Sequence, residues 1–185
     1  RYPLVEFLSV LAAISSCNYF GLTITAAIVY ILLATLIVIT FIDLDFKIIP
    51  NKINYPGMII GFGLGAVSQW TNLLHWPLTQ GLLDSLYGFL LGGGFFYAIG
   101  IFYYFISKRV GLGGGDIKLM AMLGAILGWP AIFPTVLFGS FLGSFAGITL
   151  ILFKKEGRHT EIPFGPWLSL GAIIYIFLSP QIALF

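Results

Sequence analysis

One cysteine, two histidines and few charges leave this 185-residue chain short of most catalytic and redox groups. The lone Cys17 excludes an internal disulfide and any multi-cysteine metal site within the chain, and it is expected only to pack. Charged residues make up 9% of the chain, against roughly a quarter in a soluble domain. With 59% hydrophobic residues and a mean hydropathy of +1.02, a soluble globular domain is excluded and a membrane protein indicated. No repeat of fixed period and no nucleotide-binding loop occur. Gly92-Gly93-Gly94 sits inside an apolar span, where small residues allow close helix packing. No basic start leads to an Ala-x-Ala site, so no cleavable signal peptide is evident. Because the chain opens on Arg1 rather than Met, it is read as a piece of something longer.

What charge there is comes in clusters. Uncharged stretches cover 7–42, 53–83, 85–107, 119–153 and 162–185, each about as long as one or two bilayer crossings. Turn residues divide them into seven predicted spans near 4–18, 22–42, 56–73, 82–106, 117–128, 131–153 and 163–184. The expected fold is therefore all-α, a polytopic membrane helical bundle of about seven transmembrane helices occupying residues 1–185 as one domain. The span 117–128 is short, about 18 Å at the usual rise, so it is expected to cross only part of the bilayer or to dip in from one side.

With Arg1 cytoplasmic, seven crossings put all nine basic residues on that side: Arg1, Lys47, Lys52, Lys108, Arg109, Lys118, Lys154, Lys155 and Arg158. The net charge of +2 is thus topological and gives no case for nucleic acid. The opposite loop 69–80 carries Trp70, His75 and Trp76, and His75 reads as a residue of an interfacial aromatic belt rather than a ligand.

Carboxylates set against hydrocarbon are costly and point to function before structure. Asp43, Asp45 and Asp116 all fall at the cytoplasmic ends of predicted helices, with Glu6 near them. Glu6 reads more simply as a packing or pairing residue. Asp84 falls on the other side, at a helix start, and reads as an N-cap. Residues two apart lie some 200° apart around a helix, so Asp43 and Asp45 cannot face one cavity. Asp43 directly ends the 21-residue apolar span 22–42 and is the better candidate. Asp116 follows Gly113, Gly114 and Gly115. It could simply cap the next helix, but three glycines also clear side chains from around the carboxylate and let an extended peptide backbone approach. Lys118 either tunes this acid or is a solvated interfacial lysine.

Two aspartates 73 residues apart but level in the membrane suit a pair sharing one proton, because like charges held close cannot both ionise. The ionised carboxylate would activate water against a peptide carbonyl, while the protonated one polarises that carbonyl and later protonates the leaving nitrogen. The pair titrates as a unit, so neither role belongs to one residue. No metal or covalent nucleophile is required.

Arg1-Tyr2-Pro3-Leu4-Val5-Glu6, then Phe41-Ile42-Asp43-Leu44-Asp45 running to Ile49-Pro50-Asn51, then Gly113-Gly114-Gly115-Asp116-Ile117-Lys118-Leu119, and Ile162-Pro163-Phe164-Gly165-Pro166-Trp167 together resemble type IV prepilin peptidases in order and spacing. These are polytopic aspartic peptidases of the Gly-x-Gly-Asp type, distantly related in mechanism to presenilin-like enzymes. The resemblance implies that Asp43 and Asp116 are the catalytic pair. It implies a substrate as well, the leader of a type IV prepilin or a type II secretion pseudopilin, cut after a glycine at the cytoplasmic face of the bacterial inner membrane. Such a substrate has an apolar helix just beyond the cut, so binding would involve helix packing within the bilayer. The glycine-rich stretches 61–65 and 92–94 could serve that docking, although ordinary packing is the simpler reading.

Two departures bound the resemblance. Many family members continue upstream into a cytoplasmic domain with paired cysteines, implied to hold zinc and linked to methylation with S-adenosylmethionine. No Cys-x-x-Cys occurs here, so this chain is expected to cleave without cofactor and not to supply that domain. Asn51 and Lys52-Ile53-Asn54-Tyr55-Pro56 also differ from the commoner Asp and Leu-Thr pattern. A proton- or cation-coupled transporter using Asp43 and Asp116 is the competing reading, yet transporters tend to hold such acids at the midplane between related halves.

Overall fold

The computed structural model describes residues 2–71, 73–108, 113–154 and 163–182, without the side chains of 150–154 and 179–182. Arg1, Arg109, Lys155, Arg158 and Ile162, which figure in the expected topology and motifs, lie outside the described residues.

Among the described residues the fold is all helical. It comprises α1 (Tyr2–Phe20), α2 (Ile24–Phe46), α3 (Asn51–Trp70), α4 (Leu82–Phe89), a π-helical turn (Leu90–Gly94), α5 (Phe95–Ser107), α6 (Gly114–Leu127), a 3-10 turn (Trp129–Ala131), α7 (Ile132–Lys154) and α8 (Gly165–Ile182). Because α4, the π turn and α5 follow without a break, these make seven rods, as the seven apolar spans predict. Among the described residues, four segments are long and apolar enough to cross a membrane: Tyr2–Phe20, Ile24–Phe46, Leu82–Ser107 and Trp129–Thr149.

Local chemistry sets the ends of α2. Thr23 caps its start, with Oγ1 accepting from the Ala26 N–H at 3.2 Å. Lys47 stops it in the left-handed region at φ 54°, its N–H donating to the Asp43 carbonyl at 2.9 Å. The helix therefore runs through both Asp43 and Asp45. α3 begins at Asn51, not near 56, with Pro56 inside it. Placed in the second turn, that proline removes one N–H donor near a helix end, where few backbone bonds depend on it.

At the centre lies α6, buried on every side from Leu119 to Leu127. An apolar helix without a polar face has this place available to it, and glycines on its neighbours make the room. A Cβ on Gly61 of α3 would stand 2.7 Å from Ala125, and one on Gly93 of the π turn 3.0 Å from the Ala121 side chain. Gly88 and Gly92 back directly onto the carbonyls of Gly124 and Met120. The stretches 61–65 and 92–94 thus serve packing. Gly128, at φ 80°, ends α6. α1 and α5 are the opposite case: only Ala12 and Ser16 of α1 are buried, and only Phe96 of α5. Cys17 lies exposed on α1 rather than packed inside.

Asp84 departs from its expected capping role. Gly81 is the N-cap of α4 and Asp84 the third helical residue. Its carboxylate reaches back to the Gln80 N–H at 2.9 Å and the Thr79 hydroxyl at 3.1 Å, and accepts from the Trp129 N–H at 3.2 Å. It therefore ties α4 to the 3-10 turn. His75 is exposed at the same end, its backbone N–H bonded to Thr25.

Candidate active site

Asp43, in the last turn of α2, and Asp116, in the first turn of α6, open onto one cavity of about 300 Å³. Both are buried, at 5% and 9% exposure, and they are close enough to interact electrostatically. Asp45 lies on the exposed face of α2 and Glu6 on that of α1. The sequence favours Asp43 over Asp45, and the 200° step along a continuous helix separates them here into one buried and one outward carboxylate.

Asp43 is held from α8. A helix start leaves its first N–H groups without partners inside the helix, and Pro166 has none to give. The Gly165 N–H, free in this way, donates to Asp43 Oδ2 at 3.0 Å. The approach demands glycine, since a Cβ there would stand 2.6 Å from that oxygen and 3.0 Å from Ile49 Cδ1.

Asp116 is held by its own loop. Gly113, not Asp116, is the N-cap of α6, so the simple capping role does not apply. The Asp116 N–H donates to the Gly113 carbonyl at 3.1 Å, closing the first turn of α6 onto that loop. A Cβ on Gly113 would come within 2.9 Å of Asp116 Oδ2, and one on Gly115 within 2.9 Å of Ile49. Gly114 has open space around it. All three glycines line the cavity.

Lys118 also lines the cavity, but its ammonium is anchored on α3. Nζ donates to Asn51 Oδ1 at 2.8 Å and lies 5.4 Å from the centre of the Tyr55 ring. Lys47, Ile48 and Ile49 complete the wall with Asn51. In the sequence Lys47 counts only toward topology, and Ile49, Asn51 and Gly165 only as members of the matched motifs, so none of them is marked as part of the site. The available signal for Gly165 was Phe164-Gly165-Pro166 ahead of an apolar run, a helix start whose first free N–H falls on the glycine. Among the described residues no group of three or more His, Cys, Asp and Glu side chains could hold a metal ion.

Comparison with known proteins gives the same direction as the motifs. The profile of the type IV leader peptidase family matches residues 30–148, a range that includes both buried aspartates. The chain is 30% identical over 182 residues to a prepilin leader peptidase/N-methyltransferase of Pseudomonas aeruginosa, and 31% identical over 186 residues to proteins of the same name from Aeromonas hydrophila and Legionella pneumophila. Each comparison covers 98% of this chain and 60% of the relative, so the chain spans about 60% of the length of the curated relatives it matches. No solved structure matches it significantly. With the family profile spanning well over half of its length, the chain belongs to the type IV leader peptidase family.

Proposed function

We propose that this chain is a membrane aspartic endopeptidase that removes the N-terminal leader from type IV prepilins or type II secretion pseudopilins. The observation behind this reading is the pairing of Asp43 and Asp116, buried at one cavity by two separate helices, in a chain of the leader peptidase family. The pair shares one proton. Its ionised member takes a proton from water as the oxygen attacks the scissile carbonyl, and its protonated member hydrogen-bonds the carbonyl oxygen. Collapse of the tetrahedral intermediate then breaks the C–N bond, with a proton passing to the leaving nitrogen. The Gly165 N–H fixes the Asp43 carboxylate, leaving its other oxygen for water and substrate. Gly113, Gly114 and Gly115 keep one wall free of side chains, so an extended leader can approach.

The described lysines Lys47, Lys52, Lys108, Lys118 and Lys154 all fall at the two-aspartate end of the rods. That charge supports a cytoplasm-facing site in the inner membrane. Zinc and S-adenosylmethionine belong, in this proposal, with the cysteine-bearing region implied upstream, and the peptidase step uses neither.

A reconstituted cleavage assay on a prepilin carrying its leader tests the assignment. Asp43→Asn and Asp116→Asn should each lower kcat by about 10⁴ or more, while Asp45→Asn stays near wild type. Full activity in either of the first two variants, with loss in Asp45→Asn, would overturn the site. Ion movement in liposomes without any cleavage would replace the peptidase with a transporter.

A further inference from the structure

Between Lys47, which ends α2, and Asn51, which begins α3, the chain runs without helix through Ile48, Ile49 and Pro50. Ile48 is 63% exposed and Ile49 only 6%, so Ile49 is the one turned into the molecule, where it lines the cavity of the two aspartates. Two glycines stand against it. A Cβ on Gly165 would lie 3.0 Å from Ile49 Cδ1, and one on Gly115 would lie 2.9 Å from Ile49 Cβ. Gly165 opens α8 and its N–H holds Asp43, whereas Gly115 is the residue before Asp116 on α6. One apolar side chain therefore fills the gap between the backbone that fixes the first acid and the backbone that carries the second.

We propose that Ile49 is a positioning residue, a spacer that sets the separation of Asp43 and Asp116; the proposal rests on the peptidase reading above. Its side chain has no donor or acceptor, so it acts on the acids only through Gly165 and Gly115. Local chemistry makes the spacer stiff. The proline at 50, itself at φ −66°, keeps the backbone of residue 49 out of the helical region, and a β-branched side chain has little freedom at χ1. Shortening the spacer lets the starts of α6 and α8 shift, and two carboxylates that must share one proton and one water tolerate little displacement.

The crowding at residue 165 separates this role from simple core packing. A methyl group on Gly165 would be caught between Asp43 Oδ2 at 2.6 Å and Ile49 Cδ1 at 3.0 Å, so with Ile49 in place it is the carboxylate that moves. Ile49→Val deletes Cδ1, and the methyl group can then lean into the space left behind.

The test uses the full chain, reconstituted with a prepilin that retains its leader. Ile49→Val should lower kcat about threefold and Ile49→Ala about 30-fold, with KM within about twofold of wild type. Ile126→Val on α6 is the control: Ile126 is also 6% exposed but lies outside the cavity, and kcat should not change. Adding Ile49→Val to Gly165→Ala should restore kcat about tenfold over Gly165→Ala alone, a non-additive gain between touching residues. A residue that only stabilises the fold gives the reverse, because two destabilising changes accumulate. As a readout without cleavage, the infrared carboxyl band that Asp43→Asn and Asp116→Asn alter should shift in Ile49→Ala and not in Ile126→Val.

A double variant no more active than Gly165→Ala, an unshifted carboxyl band in Ile49→Ala, or an equal loss of kcat in Ile126→Val overturns the spacer. If Ile49→Ala does not fold, the valine variants, which lack a single methyl group, decide the matter. Failure of the peptidase looks different: no hydrolysis by the wild type, with the band still shifted in Ile49→Ala, would sink the peptidase and sustain the spacer.

Discussion

A single hydrogen atom at Cα of residue 165 lets α8 reach Asp43, and the consequence is measurable. Gly165→Ala would put a methyl group 2.6 Å from Asp43 Oδ2, so the carboxylate must shift. Displacements of this kind cost about one to two orders of magnitude in kcat, and the fold should survive because the collision is with a side chain at a cavity. Steady-state kinetics beside a thermal unfolding curve would check this, and an unfolded variant with no kinetic phenotype of its own would count against it. Lys118→Met should act more gently, since it removes the bond to Asn51 rather than a group bonded to either aspartate. A fall of about tenfold or less is expected from one lost charge-assisted bond, read as kcat in the same assay. That Asp43 and not Asp45 is the buried acid was legible in the sequence: helical geometry puts residues two apart on different faces, and Asp43 directly ends the apolar span. The Gly165 partner was not, because it lies 122 residues away and nothing local says where α8 starts in space.

Helices meet here over glycine, and the pattern separates glycines that hold the fold from those that do not. Gly88→Leu or Gly92→Leu would drive a side chain into the backbone of α6, at a cost of about 3 kcal/mol or more. Gly63 on α3 has nothing within 4 Å of a Cβ, so Gly63→Ala should be neutral or gain about 0.5 to 1 kcal/mol from better helix propensity. Unfolding of the purified protein in detergent would rank these variants. Most helices were readable as uncharged runs between charges and turns. The start of α3 was not, because Pro56 reads as a first-turn residue while Asn51 lies among polar neighbours that look like loop. The central place of α6 was also hidden: its shortness was visible, but composition does not distinguish a helix facing lipid from one facing other helices.

Across the whole molecule, the antiparallel rods sort the chain into two ends, one with the aspartates and the described lysines, the other with His75, Asp84 and Trp129. In sealed membrane vesicles of a Cys17→Ser background, an impermeant thiol reagent should reach Phe46→Cys and His75→Cys from opposite sides. Both positions are exposed, so labelling from one side only would refute the alternating topology. α6 is 14 residues long, about 21 Å, against roughly 30 Å of hydrocarbon. A helix in contact with lipid over that length would have to thin or deform the bilayer. Sheathed by α3, α4 and α8, α6 has no hydrophobic length to match. The depth of Asp116 is thus decided by protein packing alone, and stays constant as the bilayer around it thickens or thins.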